Sequence, residues 1–268
     1  VGAVPRPRDP ASLTGQFEEP YGARAPYTRF TIPALRYLHQ HGLGEKDLAA
    51  VVVSQRQWAH RVPRAARREL MTVDDVLAAP LVAYPFRVPE VCLRTDGGGA
   101  LVVARTADLT PAQRERAVAV LGTGEATDSL LIAQMAEAGV SRAARAATDE
   151  AFAEAGMSRR DIDHVMNYDA LAHLVLVGLE SMGFFAPGRA AGFIAEGGAA
   201  PGGELPVNTN GGGLCYTHTG MYGMFAIQES VRQLRGEAAA QVPGIRTSLV
   251  LGFGGMFTAA ATLILGHH

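Results

Sequence analysis

From residue 117 almost to the C-terminus, short apolar runs alternate with amphipathic ones. That rhythm limits the possible folds more than any other feature of the sequence. "AVAVLGTG" reads as a strand ending in glycines, and "SRAARAATDEAFAEAG" as an amphipathic helix capped by Ser141 and closed by Gly156. "IDHVMNYDA" is a strand running into a loop or helix start, and "LAHLVLVGLESMG" is an apolar helix. A Gly/Pro loop leads to "NTNGGGLCYTHTGMYG" and the helix "MYGMFAIQESVRQLRG"; "TSLVLGFGG" and "FTAAATLILG" close the chain as a strand pair. Alternation of this kind predicts an α/β fold, with helices laid on a sheet.

The first part of the chain is different. Residues 1–26 are rich in Pro and Gly and read as an irregular lead-in. "TIPALRYLHQHG" predicts a short helix with Pro33 near its start and Gly42 just past its end. "EKDLAAVVVSQRQWAH" predicts a second helix and "TVDDVLAA" a third, with Thr72 as N-cap and Pro80 as the stop. "VCLRTDGGGALVVAR" reads as a strand approach, a glycine turn and a buried strand.

Composition removes several function classes. A net charge of −2 gives no electrostatic case for nucleic acid. No apolar run approaches the ~20 residues that cross a bilayer, and "VGAVPRPRDP" has no apolar signal core. With two cysteines, Cys92 and Cys215, no disulfide framework is implied, which suits a reducing, cytoplasmic location. Neither cysteine belongs to a Cys/His group with zinc-ligand spacing, so no metal site is expected. The 268 residues do not begin with methionine, which hints at processing or a fragment. The terminal His267 and His268 are given no role.

Candidate chemistry lies in a few places. In an extended "GLCYTHTG", Tyr216 and His218 project to one face and Cys215 to the other, so Cys215 is the weaker participant. The glycines before them let backbone approach a ligand, and the plain alternative is a tight turn with a hydrogen-bonded histidine. "NYDA" puts Asn167, Tyr168 and Asp169 at a strand's carboxyl end, where α/β sites collect. Alone, Tyr168 reads better as a core tyrosine whose hydroxyl finds a partner, and Asp169 equally as the N-cap of the next helix. "TDGGGA" and "GTGEATD" lack the P-loop pattern and read as structural turns. The basic run "RQWAHRVPRAARR" offers Arg56, His60, Arg61, Arg64, Arg67 and Arg68 as an anion clamp, with Trp58 to stack on an adenine; the alternative is a solvated helix face. Cys92 reads as a buried small hydrophobe.

Taken in order, "GQFEEPYG", "RQWAHRVPRA", "TDGGGALVVA", "YDALAH…LESMGFFAPG", "LPVNTNGGG…H…G" and "LGFGGMFTAAATLILG" resemble the sterol-carrier-protein-x and lipid-transfer-protein branch of the thiolase superfamily. The resemblance covers almost the whole chain and is most specific over residues 160–235. It implies a partial thiolase-like α/β fold. Residues 1–90 would be the helical loop domain inserted in the first half, and 91–115 the last strand of that half with a linker. Residues 116–268 would be a complete second βαβαβ half. The nucleophilic cysteine of thiolases would lie ahead of this sequence.

Two motifs depart from a working thiolase. Tyr168 and Ala170 stand where the branch has the histidine and cysteine of His-Asp-Cys-Phe. Gly252 to Gly255, "GFGG", replace the late Cys-x-Gly motif, while His218 survives from Gly-His-Pro. Tyrosines at positions such as Tyr168 and Tyr216 resemble the steroid side-chain aldolases of thiolase fold. That resemblance implies retro-aldol cleavage of a β-hydroxyacyl-CoA, a steroid side-chain CoA ester, to a ketone and a shortened acyl-CoA such as propionyl-CoA. One phenol would deprotonate the alcohol and the other help protonate the enolate, with His218 on the thioester oxygen.

The expected ligand-binding residues are Arg56, Trp58, His60, Arg61, Asn210 and Gly211. Coenzyme A would enter only as part of the acyl-CoA substrate, with no tightly bound cofactor. The expected partners are a second copy in a homodimer and a DUF35-type protein with an OB-fold and zinc ribbon. The alternatives are an acetyl-CoA C-acyltransferase with an upstream cysteine, and a non-catalytic lipid-transfer or scaffold subunit.

Overall fold

A computed structural model describes residues 9–23, 27–129, 131–135, 137 and 139–267. Helix α1 (Tyr27–His41) is joined by a short turn to helix α2 (Glu45–His60), and α3 (Val73–Ala78) follows. Thr72 caps α3 as expected: its hydroxyl accepts from the Asp75 N–H while the Asp75 carboxylate accepts from the Thr72 N–H. Pro33 lies inside α1, not at its start. The helix begins earlier because "YTRF" brings Phe30 into the core, where it is 5% exposed. A small hairpin, Leu81–Ala83 with Phe86–Arg87, follows. The Pro-rich lead-in contains a short helix, Leu13–Phe17, capped by Ser12; residues 1–8 and 24–26 lie outside the described part.

The second part is the α/β unit that the rhythm predicts. Strand β1 (Ala119–Thr127), helix α4 (Arg142–Ala155), strand β2 (Val165–Asn167) and helix α5 (Ala172–Ser181) come first. After them come a single helical turn, α6 (Gly212–Cys215), helix α7 (Tyr222–Arg235), and strands β3 (Thr247–Gly254) and β4 (Ala259–Gly266). The sheet order is β1-β4-β3-β2, with β4 antiparallel to both neighbours and β2 parallel to β3. Val165 pairs with Leu249 and Asn167 with Leu251, so β2 ends level with the middle of β3.

Helices α4 and α5 cover one face and α7 the other. Strand alternation sends Leu249 and Leu251 toward α4 and α5, and Val250 toward Tyr222, Ala226 and Leu234 of α7. The "GTG" of β1 is strand, not turn. A Cβ on Gly124 would fall 2.0 Å from the Ala147 carbonyl oxygen and one on Gly122 2.1 Å from that of Ala151, so these glycines seat α4 against the sheet backbone.

Helices α1 and α2 share a core with α5. Tyr37 donates to Glu180 Oε1 at 2.7 Å, and the same oxygen accepts from the Ala190 N–H at 3.1 Å. This pins the first part of the chain to the second.

The strand expected within 91–105 does not form. Residues 97–105 are irregular and exposed, with Val102 98% and Val103 82% accessible. An apolar run becomes a strand only beside another strand's hydrogen bonds, and among the described residues none runs alongside it. Residues 92–95 take their partners elsewhere: Cys92 N donates to Ala170 O, Leu93 N to Gly213 O and Thr95 N to His218 O.

Candidate active site

The carboxyl end of β2 carries the first functional side chain. The Tyr168 N–H donates to Leu251 O at 3.0 Å, extending the ladder by one bond. On the other side of β2 the side chain of Asn208 stands in for a strand. Its Oδ1 accepts from Asn167 N at 2.7 Å and its Nδ2 donates to Asn167 O at 2.9 Å. Asn208 is held at φ 54°, a left-handed conformation that asparagine tolerates.

Asp169 does not cap the helix that follows it, whose N-cap is Leu171. Its carboxylate turns the other way and accepts from the N–H groups of Gly213 at 2.7 Å and Leu214 at 3.2 Å, capping α6. That contact explains the glycine run. Gly212 has φ +67°, and a Cβ there would lie 2.1 Å from Asp169 Oδ2. Burial pushes the Asp169 carboxyl up to about 7 against the opposing pull of those two N–H donors.

The stretch from Gly212 to His218 is therefore not extended. A helical turn comes first, Tyr216 ends it with helical dihedrals, and strand alternation does not decide which way Cys215, Tyr216 and His218 point. Two neighbouring segments hold it in place. Ala66 N donates to Tyr216 O and Arg67 N to Cys215 O, while Leu93 N donates to Gly213 O. The His218 N–H donates to Thr95 Oγ1 at 3.1 Å.

This frame brings His218 Nε2 to 3.1 Å from the Tyr168 hydroxyl, the rings meeting edge-on with centroids 5.5 Å apart. Burial pushes the Tyr168 phenol up, and the carboxylate of Asp169 adds to the shift. Burial also holds the His218 imidazole below its ordinary value. Both groups are therefore neutral near pH 7 and joined by one hydrogen bond, in which the phenol donates when the imidazole carries its proton on Nδ1. In this structure His218, expected to address a thioester oxygen, has its Nε2 against the Tyr168 hydroxyl.

Tyr216 is half-buried with its ring 6.2 Å from that of Phe225. Tyr222 is the residue the sequence reading passed over. It is fully buried on α7, its hydroxyl donates to Asn210 Oδ1 at 3.1 Å, and its ring lies parallel to that of His218. Its place in "NTNGGGLCYTHTGMYG", beside Tyr216 and His218, is the available signal.

The ligand-binding set does not assemble. Trp58 is 2% exposed and its indole N–H donates to Ala199 O, so it cannot stack on a nucleotide at the surface. Arg56 is buried and spends its guanidinium on Glu69. His60, the last residue of α2, and Arg61, its C-cap, are exposed at the end of the helix, while Arg56 and Trp58 are buried. Gly211 packs on Ala59, and Asn210 uses Oδ1 on Gly212 N and Tyr222, leaving Nδ2 without a partner among the described residues. Burial pushes the thiols of Cys92 and Cys215 up to about 12, so neither is a thiolate at neutral pH.

A mixed sheet with helices on both faces, and a histidine loop closing over the carboxyl end of its parallel strand, makes an α/β domain with its site at that strand end. The family described as "Thiolase C-terminal domain-like" matches residues 124–267, and the chain belongs to the thiolase superfamily. It is similar to two curated proteins. One is the 17-hydroxy-3-oxo-4-pregnene-20-carboxyl-CoA lyase of Mycobacterium tuberculosis, 32% identical over 96% of this chain and 67% of that protein. The other is the steroid side-chain-cleaving aldolase of Thermomonospora curvata, 32% identical over 92% of this chain and 63% of that protein. Among solved structures, the Ltp2-ChsH2(DUF35) aldolase superposes with a TM-score of 0.85 at 30% identity, covering 93% of this chain and 65% of that one. The chain thus spans about two thirds of the length of these relatives.

Proposed function

We propose that the protein is a carbon–carbon lyase that cleaves a β-hydroxyacyl-CoA by a retro-aldol reaction, with a steroid side-chain CoA ester as substrate. The observation that carries this reading is the Tyr168–His218 contact of 3.1 Å at the end of β2. It supplies an acid/base pair where thiolysis would need a thiolate. The names of the two curated relatives support the same chemistry and the same substrate class.

The steps follow from the protonation states. The Tyr168 oxygen takes the proton of the substrate's β-hydroxyl as its own proton passes to His218 Nε2. The alkoxide electrons form the ketone C=O, and the Cα–Cβ bond breaks. Its electron pair rests on the thioester enolate, which takes a proton at the α-carbon from Tyr216; His218 then gives its proton up to solvent and Tyr216 takes one back, so both side chains return to their starting states. Burial disfavours a standing phenolate, so Tyr168 works as a relay with the charge passed onward to the imidazole. Products are a ketone and a shortened acyl-CoA, propionyl-CoA for a three-carbon side-chain fragment.

Coenzyme A enters as part of the substrate and leaves on the short product. A DUF35-type partner is suggested by the similarity to the Ltp2-ChsH2(DUF35) aldolase, and the proposal adds a homodimer and a cytoplasmic location. The test is direct. The full-length protein, alone and with a DUF35 partner, is incubated with a steroid β-hydroxyacyl-CoA, and ketone and propionyl-CoA are quantified by chromatography. Equimolar release supports the lyase; CoA-dependent release of an acyl-CoA with no ketone would return the assignment to acyl transfer.

A further inference from the structure

His173 is the most anomalous polar side chain outside the reaction just described. It lies in the first turn of α5, is fully buried, and has no hydrogen-bond partner on either ring nitrogen among the described residues. Phenylalanines box it in: Phe86 at 5.1 Å, Phe30 at 5.7 Å and Phe257 at 6.2 Å between ring centroids. Burial holds its pKa down at about 3, so the imidazole is neutral, with one N–H donor and one bare acceptor. Native cores leave few such groups unpaired, and each one asks for an explanation.

Phe257 closes the box on the side facing the active site. It is 3% exposed and stands at φ 65° in the turn between β3 and β4, a conformation that a bulky side chain rarely adopts. Strain of this kind collects at ligand clamps and switch segments. Phe257 meets Phe253 at 5.5 Å, and Phe253 meets Tyr168 at 6.3 Å. An aromatic path therefore runs from the reacting phenol to the unpaired histidine, and a strained residue fills it.

The geometry points to His173 as a specificity-determining residue, which donates its N–H to an oxygen at the far end of the acyl group once the Phe257 turn yields to the ligand. The class of substrate follows: a rigid, apolar acyl group with a carbonyl oxygen remote from the thioester, such as a 3-oxo steroid skeleton. Phe30, Phe86 and Phe253 supply apolar walls that any hydrocarbon fills. Only an oxygen at the far end gives the imidazole the partner it lacks. A site with a buried donor discriminates by the penalty of leaving that donor unpaired. This inference rests on the retro-aldol reading of Tyr168.

The test compares two β-hydroxyacyl-CoA esters that differ only in an oxo group on the ring farthest from the side chain. With the full-length wild-type protein, kcat/KM favours the oxo ester by roughly a hundredfold. In His173→Leu that ratio falls to within about threefold. Equal turnover of the two esters by the wild type, or an unchanged ratio in His173→Leu, overturns the proposal; the first outcome needs no variant to fold. If neither ester is cleaved, the retro-aldol reading fails separately, and calorimetry with the matched oxo and deoxo steroid ketones decides the role of His173. Oxo ketone binding at least tenfold tighter to wild type, with that preference lost in His173→Leu, upholds it. Equal binding overturns it.

Discussion

The Tyr168 hydroxyl and His218 Nε2 sit 3.1 Å apart although their residues lie on separate loops, and Asp169 fixes the separation. The same residue that follows Tyr168 grips the N–H groups of Gly213 and Leu214, a few positions ahead of His218. The backbone N–H of His218 is separately tied to Thr95. Proton transfer over one hydrogen bond thus depends on backbone contacts around it, not on the two side chains alone.

Tyr168→Phe keeps the ring that Phe253 and Tyr222 meet edge-on and removes only the oxygen. Ketone release should fall by about 10²- to 10⁴-fold, the usual range for a lost acid/base group. Stability should change by no more than about 1.5 kcal/mol, since one hydrogen bond is lost. Steady-state rates and thermal melts on the same preparation separate the two effects. Undiminished ketone release would remove Tyr168 from the mechanism.

The pH profile reports on His218. Burial holds its pKa below the ordinary value near 6.5, so the neutral imidazole persists as pH falls through that value. The acid limb of kcat/KM should therefore stay level through pH 6.5 and drop only below it. A midpoint at or above 6.5 would mean that the imidazole is not the buried acceptor described above.

Gly212 and Gly220 separate backbone strain from steric contact. Both have positive φ, at +67° and +79°, but a Cβ meets Asp169 Oδ2 at 2.1 Å in the first and nothing within 4 Å in the second. Gly220→Ala should cost about 1 kcal/mol in chemical denaturation, from the dihedral alone. Gly212→Ala should cost about 3 kcal/mol or more, because the clamp must also shift. Equal costs would mean that the Asp169 contact is soft.

The elements of the α/β half were legible because apolar periodicity and capping residues agree there. Ser141 and Gly156 bound α4 at the expected residues, and β3 and β4 pair as the two glycine-separated runs suggest. Tyr168 and His218 could be named, but their contact could not, because it depends on Asp169 reaching across to α6. Periodicity misled where a partner decides the outcome. "ALVVAR" has strand composition, but with no strand beside it among the described residues it lies open. "RQWAHRVPRAARR" gathers charge in sequence, but packing divides it, with Arg56 and Trp58 buried and His60 and Arg61 exposed where the helix ends.

Both cysteines should be dispensable for ketone release. Burial raises each thiol to about 12, leaving a negligible thiolate fraction at pH 7.5. Cys92→Ala and Cys215→Ala should keep turnover within about threefold and lower stability by about 1 kcal/mol through lost packing. Loss of turnover in a folded Cys215→Ala protein would revive the thiol as a participant.

His173 also sets how the fold responds to acid. Its folded pKa is held at about 3, below the unfolded value near 6.5. Between those values the unfolded chain takes up a proton that the folded chain refuses, so stability falls as pH drops through 6.5 toward 3. The slope from this one residue is about 1.4 kcal/mol per pH unit. Asp169 and Glu90 act in the opposite sense, because their folded carboxyls titrate at about 7 and keep protons that the unfolded chain has already released. The wild-type curve therefore hides the histidine, and only the difference from a variant isolates it. His173→Leu should match or exceed wild-type stability at pH 7.5 and gain roughly 2 kcal/mol on it at pH 5, read from urea midpoints at each pH. A difference that does not change between those pH values would show that His173 has a proton-accepting partner in the folded protein.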